Sequence, residues 1–535
     1  MNLRRNMLIP AAALVLLVSS CNYLDVSDQL AGGLQNTDEV FENVSYTKRW
    51  YASIFTGIPD YSGLNSTNVN GFKNPWASIC DELVTGYGNA SKYNNSDKNA
   101  TNVSFHRYGD CYKAIRQANI FLQKAHVITA GGTQGDELLE PELKRYQANA
   151  RFMRAFYHYL LFEQYGPIII VGDKVYEATE SQDMSRNSVD EVVEYLDKEL
   201  LASADELSQE PIIDENYRAE PTKGVALAVR AKMWVYAASP LLNGGFNEAL
   251  NIANPDGKKL FPIADAAKWE RARQACADFI NYANENNRYE LYYAAPEKNG
   301  VVNPEKSVYE LFQKYTKEII WATATADWGG LDGDAFDRRI VPRTEQNGLG
   351  STGVTQELVD AFYMNDGLPI RGTTYLPASP QYTEEGMSTY TETNVDPIKG
   401  GKEYTPVNVS NRFINREARF YNTVFFNGRQ WPVTCNTIQF YNGGNAGQQN
   451  GQYTQTGYML FKRFNRRISK TSPGVSSRYR PSIIFRLADF YLLYAEAANE
   501  VNPNDPVVLE YLNKVRHRAG PVSYTHLRAH ETLSD

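Results

Sequence analysis

Apolar residues recur at helical spacing across residues 143–164, through Tyr146, Ala150, Met153, Tyr157 and the Leu160–Leu161 pair, and Gly166–Pro167 stops the run. The spacing predicts a helix there. Residues 112–127 carry Ile115, Ala118 and Leu122 on one face and predict a second helix, antiparallel to the first across the Gly131–Gly132 loop. A third is expected from Thr222, whose hydroxyl suits an N-cap, through Ala226, Val229, Met233 and Tyr236 toward Pro240. Near the end, residues 483–501 read as one amphipathic helix and 507–519 as another, separated by the breaker Asn502-Pro503-Asn504-Asp505-Pro506. A helix, turn and helix within ~34 residues is the size of one tetratricopeptide unit. Ala495, Ala497 and Ala498 let two such helices approach closely. Between residues 291 and 431 the texture changes to Gly, Asn, Thr and Pro with short β-like runs such as 423–426, so a loop-rich lobe is expected.

The N-terminus adds an address. Arg4 and Arg5 precede an apolar run over residues 7–18, and Val18-Ser19-Ser20 leads to Cys21, the order of a secretory signal. The apolar stretch is shorter than the ~20 residues that span a bilayer, so it reads as a signal rather than a transmembrane helix. Small residues before Cys21 resemble a lipobox, in which that thiol is acylated and becomes the new N-terminus; stable anchoring then comes from several acyl chains. Asp25 and Asp28 lie close behind the cysteine, as in the surface-export signals of Bacteroidetes lipoproteins. An outer-membrane protein facing the cell exterior is expected.

With 535 residues, of which 42% are hydrophobic, the chain can bury a large core and exceeds one ordinary domain. A formal net charge of -8 without a basic stripe argues against nucleic acid as a partner. Beyond Cys21, the cysteines Cys80, Cys111, Cys276 and Cys435 stand at no metal or redox spacing, and no structural disulfide is predicted. Thirty-six Tyr and seven Trp in so polar a chain supply many amphipathic rings. Most such rings pack in cores, but exposed ones stack on sugar faces.

Catalytic layouts are scarce. The chain has no H-E-x-x-H, G-x-S-x-G, P-loop or G-x-G-x-x-G pattern and no cysteine pair at zinc spacing. No metal and no cofactor are expected. Of the six histidines, His106, His126 and His158 lie in or beside predicted helices, where packing or surface roles are expected, and His517, His526 and His530 lie near the end. Asp81-Glu82 and the group Asp327, Asp332, Asp334 and Asp337 offer the paired carboxylates a glycoside hydrolase needs. Acids so common in loops are usually solvated or capping groups, so the chain is expected not to be an enzyme.

The helical segments together carry an ordered set of blocks. Leu24-Asp25 follows the lipobox, then come Trp76 with Asp81-Glu82, and Tyr112-Lys113-Ala114-Ile115 with Ala118-Asn119. Ala150-Arg151-Phe152-Met153-Arg154-Ala155 is followed by Tyr165-Gly166-Pro167. Glu357-Leu358-Val359-Asp360-Ala361-Phe362 with Asp366-Gly367, and Asn415-Arg416 with Arg419-Phe420-Tyr421, stand in mid-chain. Arg486-Leu487-Ala488-Asp489, Tyr494-Ala495-Glu496-Ala497, Leu512-Asn513, Val515-Arg516 and Arg518-Ala519-Gly520 close the set. In this order they resemble the SusD/RagB family of nutrient-binding lipoproteins. The resemblance implies a mostly α-helical fold, tetratricopeptide-like helix pairs in a superhelix supporting a variable, loop-rich lobe. It also implies capture of a glycan for a SusC-like TonB-dependent transporter, the helix pairs facing the transporter and the loops facing the ligand. The blocks themselves are scaffold: Arg151 and Arg154, three apart on one face, are placed to pair with Glu163 or with acids of a neighbouring helix.

The expected organisation is a signal at residues 1–20, a helical region at 21–240, a loop-rich lobe at 241–480 and a final helix pair at 481–520. The run from Pro521 to Asp535 departs from the family pattern and resembles foreign sequence. For ligand contact, Tyr61, Tyr87, Tyr93 and Trp328 stand in Gly-, Asn- and Asp-rich stretches, with Trp321, Trp431 and Tyr441 as second choices. Trp50, Trp234 and Trp269 fit helices and are assigned to the core. Three alternatives stay open: a peptide-binding member of the same family, a surface glycoside hydrolase, and a protein-interaction scaffold with no aromatic site.

Overall fold

The computed structural model describes residues 37–520 apart from 62–79, 86–105, 130–136, 177–179, 181–183, 297–298, 324–329, 333–334, 346, 375, 392–406, 449–452 and 471–473. Two short helices, α1 (Thr37–Phe41) and α2 (Val44–Ser53), lead into a stack of long ones: α3 (Tyr108–Lys124), α4 (Glu140–Tyr165), α5 (Val189–Glu206), α6 (Lys223–Ala238) and α7 (Ala267–Asn284). Each long helix packs on the one before it. The chain then leaves through α8 (Pro304–Glu310) and passes the short helices α9 (Phe336–Arg339), α10 (Gln356–Ala361) and α11 (Ala418–Thr423). It returns as α12 (Leu487–Val501) and α13 (Pro506–Arg518), with α12 against α7 and α13 against α12. The stack is therefore continuous in space although some two hundred residues intervene in the chain.

The sequence signals account for the ends of these helices. Thr222 caps α6 by accepting the Val225 N–H, and Ser188 forms a reciprocal capping box with Glu191 at the start of α5. Gly166 ends α4 with φ +66°, a left-handed conformation that glycine adopts without a Cβ penalty. α4 lies at the centre, and its whole face from Tyr146 through Met153 and Tyr157 to Leu161 is buried. Arg154 donates to Glu199 of α5 at 2.8 Å, and Arg151 pairs with Glu206 of the same helix. The arginines thus bind the neighbouring helix. Glu163 instead takes Lys232 of α6 and the buried Arg107.

Among the predicted helices, one differs from expectation. Residues 483–486 were expected to open a helix; they belong to strand β8 (Ser482–Arg486), which pairs antiparallel with β2 (Ile319–Thr323). The run Ile483-Ile484-Phe485 is β-branched and aromatic, and its partner is far away in the chain. This pairing staples the exit of the loop-rich excursion to its re-entry. Within the excursion a second apolar core forms around Phe413, Phe420, Phe425, Phe426, Trp431 and Phe461, distinct from the core of the helix stack. Three two-stranded ribbons edge it. β1 (Leu83–Thr85) pairs with β3 (Thr352–Val354), β4 (Met387–Tyr390) with β5 (Val407–Ser410), and β6 (Val424–Phe425) with β7 (Met459–Leu460). Cys80, Cys111, Cys276 and Cys435 form no disulfide with one another. Among the described residues no helix is long and apolar enough to cross a membrane.

Candidate functional site

A cavity of about 590 Å³ opens where the helix stack meets the second core. Ile483, Ile484 and Arg486 of β8 form one wall; Leu460, Phe461, Lys462 and Arg463, at and just after β7, form another; and Phe312 lies between them. The chain turns tightly after β7, the Phe464 N–H bonding to the Phe461 carbonyl at 3.1 Å. That turn sets Lys462 and Arg463 side by side at its two central positions. Arg463 has φ +65°, a left-handed conformation unusual for a residue with a side chain. The heads of Lys462, Arg463 and Arg486 lie 5.4, 5.5 and 5.9 Å from the centroid of the Phe312 ring, within cation–π range.

These cations differ in their partners. Arg486 pairs with Glu318 at 3.0 Å and with Asp489 at 3.1 Å. Arg518, also at the cavity, holds the other Glu318 oxygen at 2.6 Å. Lys462 makes no ion pair among the described residues. Its side chain is exposed and faces the cavity. Desolvation by the protein around the cavity, with Arg486 and Arg463 adding to it, pushes its ammonium down to about 8, while Asp489 and Glu82 oppose it. Burial, with Arg486 and Arg480 adding to it, brings Arg463 down to about 10, while Asp489 and Asp60 oppose it.

Tyr61, a sequence-predicted ligand contact, lines this cavity half-buried. Its phenol lies beside Glu163, Arg107 and Lys232; burial and Glu163 push it up, and the Arg107 hydrogen bond opposes them. Tyr87, Tyr93, Trp328 and the lipidation candidate Cys21 lie outside the described residues. Two second choices are corrected. Trp321 is 1% exposed and Trp431 0% exposed, so neither ring offers a face to a ligand. The Trp321 indole N–H donates to the Ala219 carbonyl at 2.9 Å and its ring packs on Phe152 and Phe156, while Trp431 packs among Phe425, Phe461 and Phe464. Tyr441 is 56% exposed. Trp50 and Trp234 are core residues as expected, and Trp269 is half-buried against that core.

Sequence reasoning passed over Phe312, Lys462 and Arg463, and a second groove of about 660 Å³ beside the end of α7, lined by Tyr289, Tyr292, Tyr293 and Tyr315. The Tyr292–Tyr293 doublet was its visible signal.

Of the acids offered for hydrolysis, Asp337 is wholly buried and receives two bonds from the equally buried Arg480, at 3.0 and 2.6 Å. It is therefore a structural partner of Arg480. Asp332 is exposed and pairs with Lys470, Asp81 and Glu82 are exposed with Glu82 at the cavity, and Asp327 and Asp334 lie outside the described residues.

Two family models match the chain. One, described as the SusD family, covers residues 317–530; the other, described as starch-binding associating with outer membrane, covers residues 51–235. A search of curated proteins gives no match. Among solved structures, the protein BT4246 is 23% identical with a TM-score of 0.70, over 90% of this chain and 83% of that one. A SusD-like carbohydrate binding protein from Bacteroides fragilis is 17% identical with a TM-score of 0.62, over 92% and 82% of the two chains. Surface glycan-binding protein A from Bacteroides uniformis is 16% identical with a TM-score of 0.53, over 91% and 83%. The mostly helical, tetratricopeptide-like fold is common to them, and with both family models matching in order along it, the chain belongs to the SusD/RagB family.

Proposed function

We propose that this protein is a cell-surface lipoprotein, anchored in the outer membrane through Cys21, that captures a glycan and delivers it to a SusC-like TonB-dependent transporter, without cleaving it. The observation that carries the reading is the match of residues 51–235 to a family described as starch-binding and associated with the outer membrane. The signal and lipobox ahead of that region supply an export route and an anchor. The architecture suits the division of labour: a continuous helix stack presents a broad surface to a transporter, and the excursion carries the loops. Glycan recognition needs flat ring faces for the apolar side of a pyranose and polar groups for its hydroxyls. Tyr61, Tyr87, Tyr93 and Trp328 are the proposed ring contacts. Sealing of Asp337 against Arg480 weighs against hydrolysis by the acidic group that contains it. The test is affinity electrophoresis of the full chain through gels containing plant, host or microbial polysaccharides. Retardation by one polysaccharide, reduced when Tyr87 and Trp328 are replaced by Ala, is the expected result; retardation that these substitutions leave unchanged would remove the proposed rings from the site.

A further inference from the structure

We infer that the cavity beside Phe312 is an anion subsite, in which Lys462, flanked by Arg463 and Arg486, takes the carboxylate or sulfate group of an acidic sugar. Three positive heads gather around one ring, at 5.4, 5.5 and 5.9 Å from its centroid. Like charges so placed repel one another unless a negative charge lies among them. The carboxylates nearby serve the other heads, Asp489 and Asp60 both acting on Arg463. Glu318 is shared between Arg486 and Arg518, and Asp489 pairs with Arg486. Glu82 lines the cavity as well, yet no carboxylate of the described residues comes within ion-pair distance of the Lys462 ammonium.

The depressed ammonium supports this arrangement: the protein packed around the cavity and the two guanidinium groups destabilise its charge, and Asp489 and Glu82 offset them only in part. A bound anion would supply that compensation through charge-assisted hydrogen bonds. The tight turn at residues 461–464 fixes the donors in advance, with Arg463 held at positive φ, so little ordering is left to be done on binding. A cavity of about 590 Å³ admits a monosaccharide residue, and Phe312, Phe461 and Ile484 give it apolar walls. The subsite rests on the glycan-capture reading and gives it a substrate class: glycans that carry uronic acid or sulfate groups.

The experiment is calorimetric titration of the full chain with D-glucuronate, inorganic sulfate and D-glucose, repeated with Lys462→Met and Lys462→Arg. The expected result is saturable binding of glucuronate or sulfate, no signal from glucose, a loss of about tenfold or more in Lys462→Met and retention within a few-fold in Lys462→Arg. Absence of binding by either anion, or binding that Lys462→Met leaves unchanged, overturns the subsite. Where Lys462→Met does not fold, the ammonium resonance of Lys462 in lysine-labelled wild-type chain decides: a shift on adding glucuronate supports the inference and an unmoved resonance overturns it. Retention on a neutral polysaccharide with no anion binding removes the subsite and leaves glycan capture standing.

Discussion

Glu318 and Arg518 meet at 2.6 Å, both buried, and so join the last helix of the stack to the start of the β2 strand. The second Glu318 oxygen takes Arg486 at 3.0 Å, and the Tyr292 N–H donates to the same carboxylate at 2.8 Å. One side chain thereby ties together α13, the β2–β8 staple and the segment leaving α7. Removing it leaves two arginines short of their partner in a confined space. Glu318→Ala is expected to lower stability by ~3–5 kcal/mol, read as a fall in the urea midpoint of the full chain. A midpoint unchanged from wild type would mean that the junction is held by apolar packing alone.

His158 predicts a pH dependence. It is wholly buried in α4; its Nδ1 lies 2.8 Å from the Arg154 carbonyl and its Nε2 accepts the Val171 N–H at 3.3 Å. Both contacts are satisfied by the neutral ring with the proton on Nδ1. Burial brings the imidazole down from 6.5 to about 4. The unfolded chain therefore takes up this proton first, so stability is complete above pH ~6.5 and falls as the pH drops toward about 4. Urea titrations at stepped pH should show that decline, and His158→Gln should have lower stability at pH 7 with a shallower decline. An equal slope in the variant would assign the acid sensitivity to other groups.

Trp321 and Tyr441 separate packing from exposure. Trp321→Ala removes a buried indole that contacts Phe152, Phe156 and Phe485, and is expected to cost ~3–5 kcal/mol. Tyr441→Ala, at an exposed turn, is expected to change stability by less than ~0.5 kcal/mol. Thermal melts of the two variants check this, and a neutral Trp321→Ala would contradict its place in the core.

Asp337 and Arg480 seal one another inside the lobe. Asp337→Asn keeps the size of the side chain and removes the charge, leaving a buried guanidinium without its counter-ion. A loss of ~3–5 kcal/mol is expected, with no change in reducing-sugar release from any glycan. Hydrolysis present in the wild type and lost in this variant would reassign the pair to catalysis.

Much of the helix stack was legible because α3, α4, α6, α12 and α13 carry their own signals, such as the Tyr146-to-Leu161 stripe, Thr222 as a cap and Gly166–Pro167 as a stop, which act within a few residues; α5 and α7 were not predicted. β8 was misread because Ile483–Phe485 becomes a strand only through β2, a partner invisible to local periodicity. The second core was hidden for the same reason. Its members, from Leu83 to Ile468, come from many short segments, none long enough to show a period. Ring exposure was harder still, since Trp321 and Trp431 stand in chemistry much like that of Tyr441 and differ only in what the fold packs over them. The Lys462-Arg463 pair alone does not mark the site, as Phe312 and Arg486 arrive from other elements.

The most direct test of glycan capture is titration of the full chain with a panel of plant, host and microbial polysaccharides by calorimetry, with reducing-sugar release measured on the same mixtures. Capture predicts saturable binding to one polysaccharide and no release of reducing ends. Release of reducing ends would make the protein a hydrolase, and silence across the panel from a folded chain, with binding of peptides instead, would contradict the glycan.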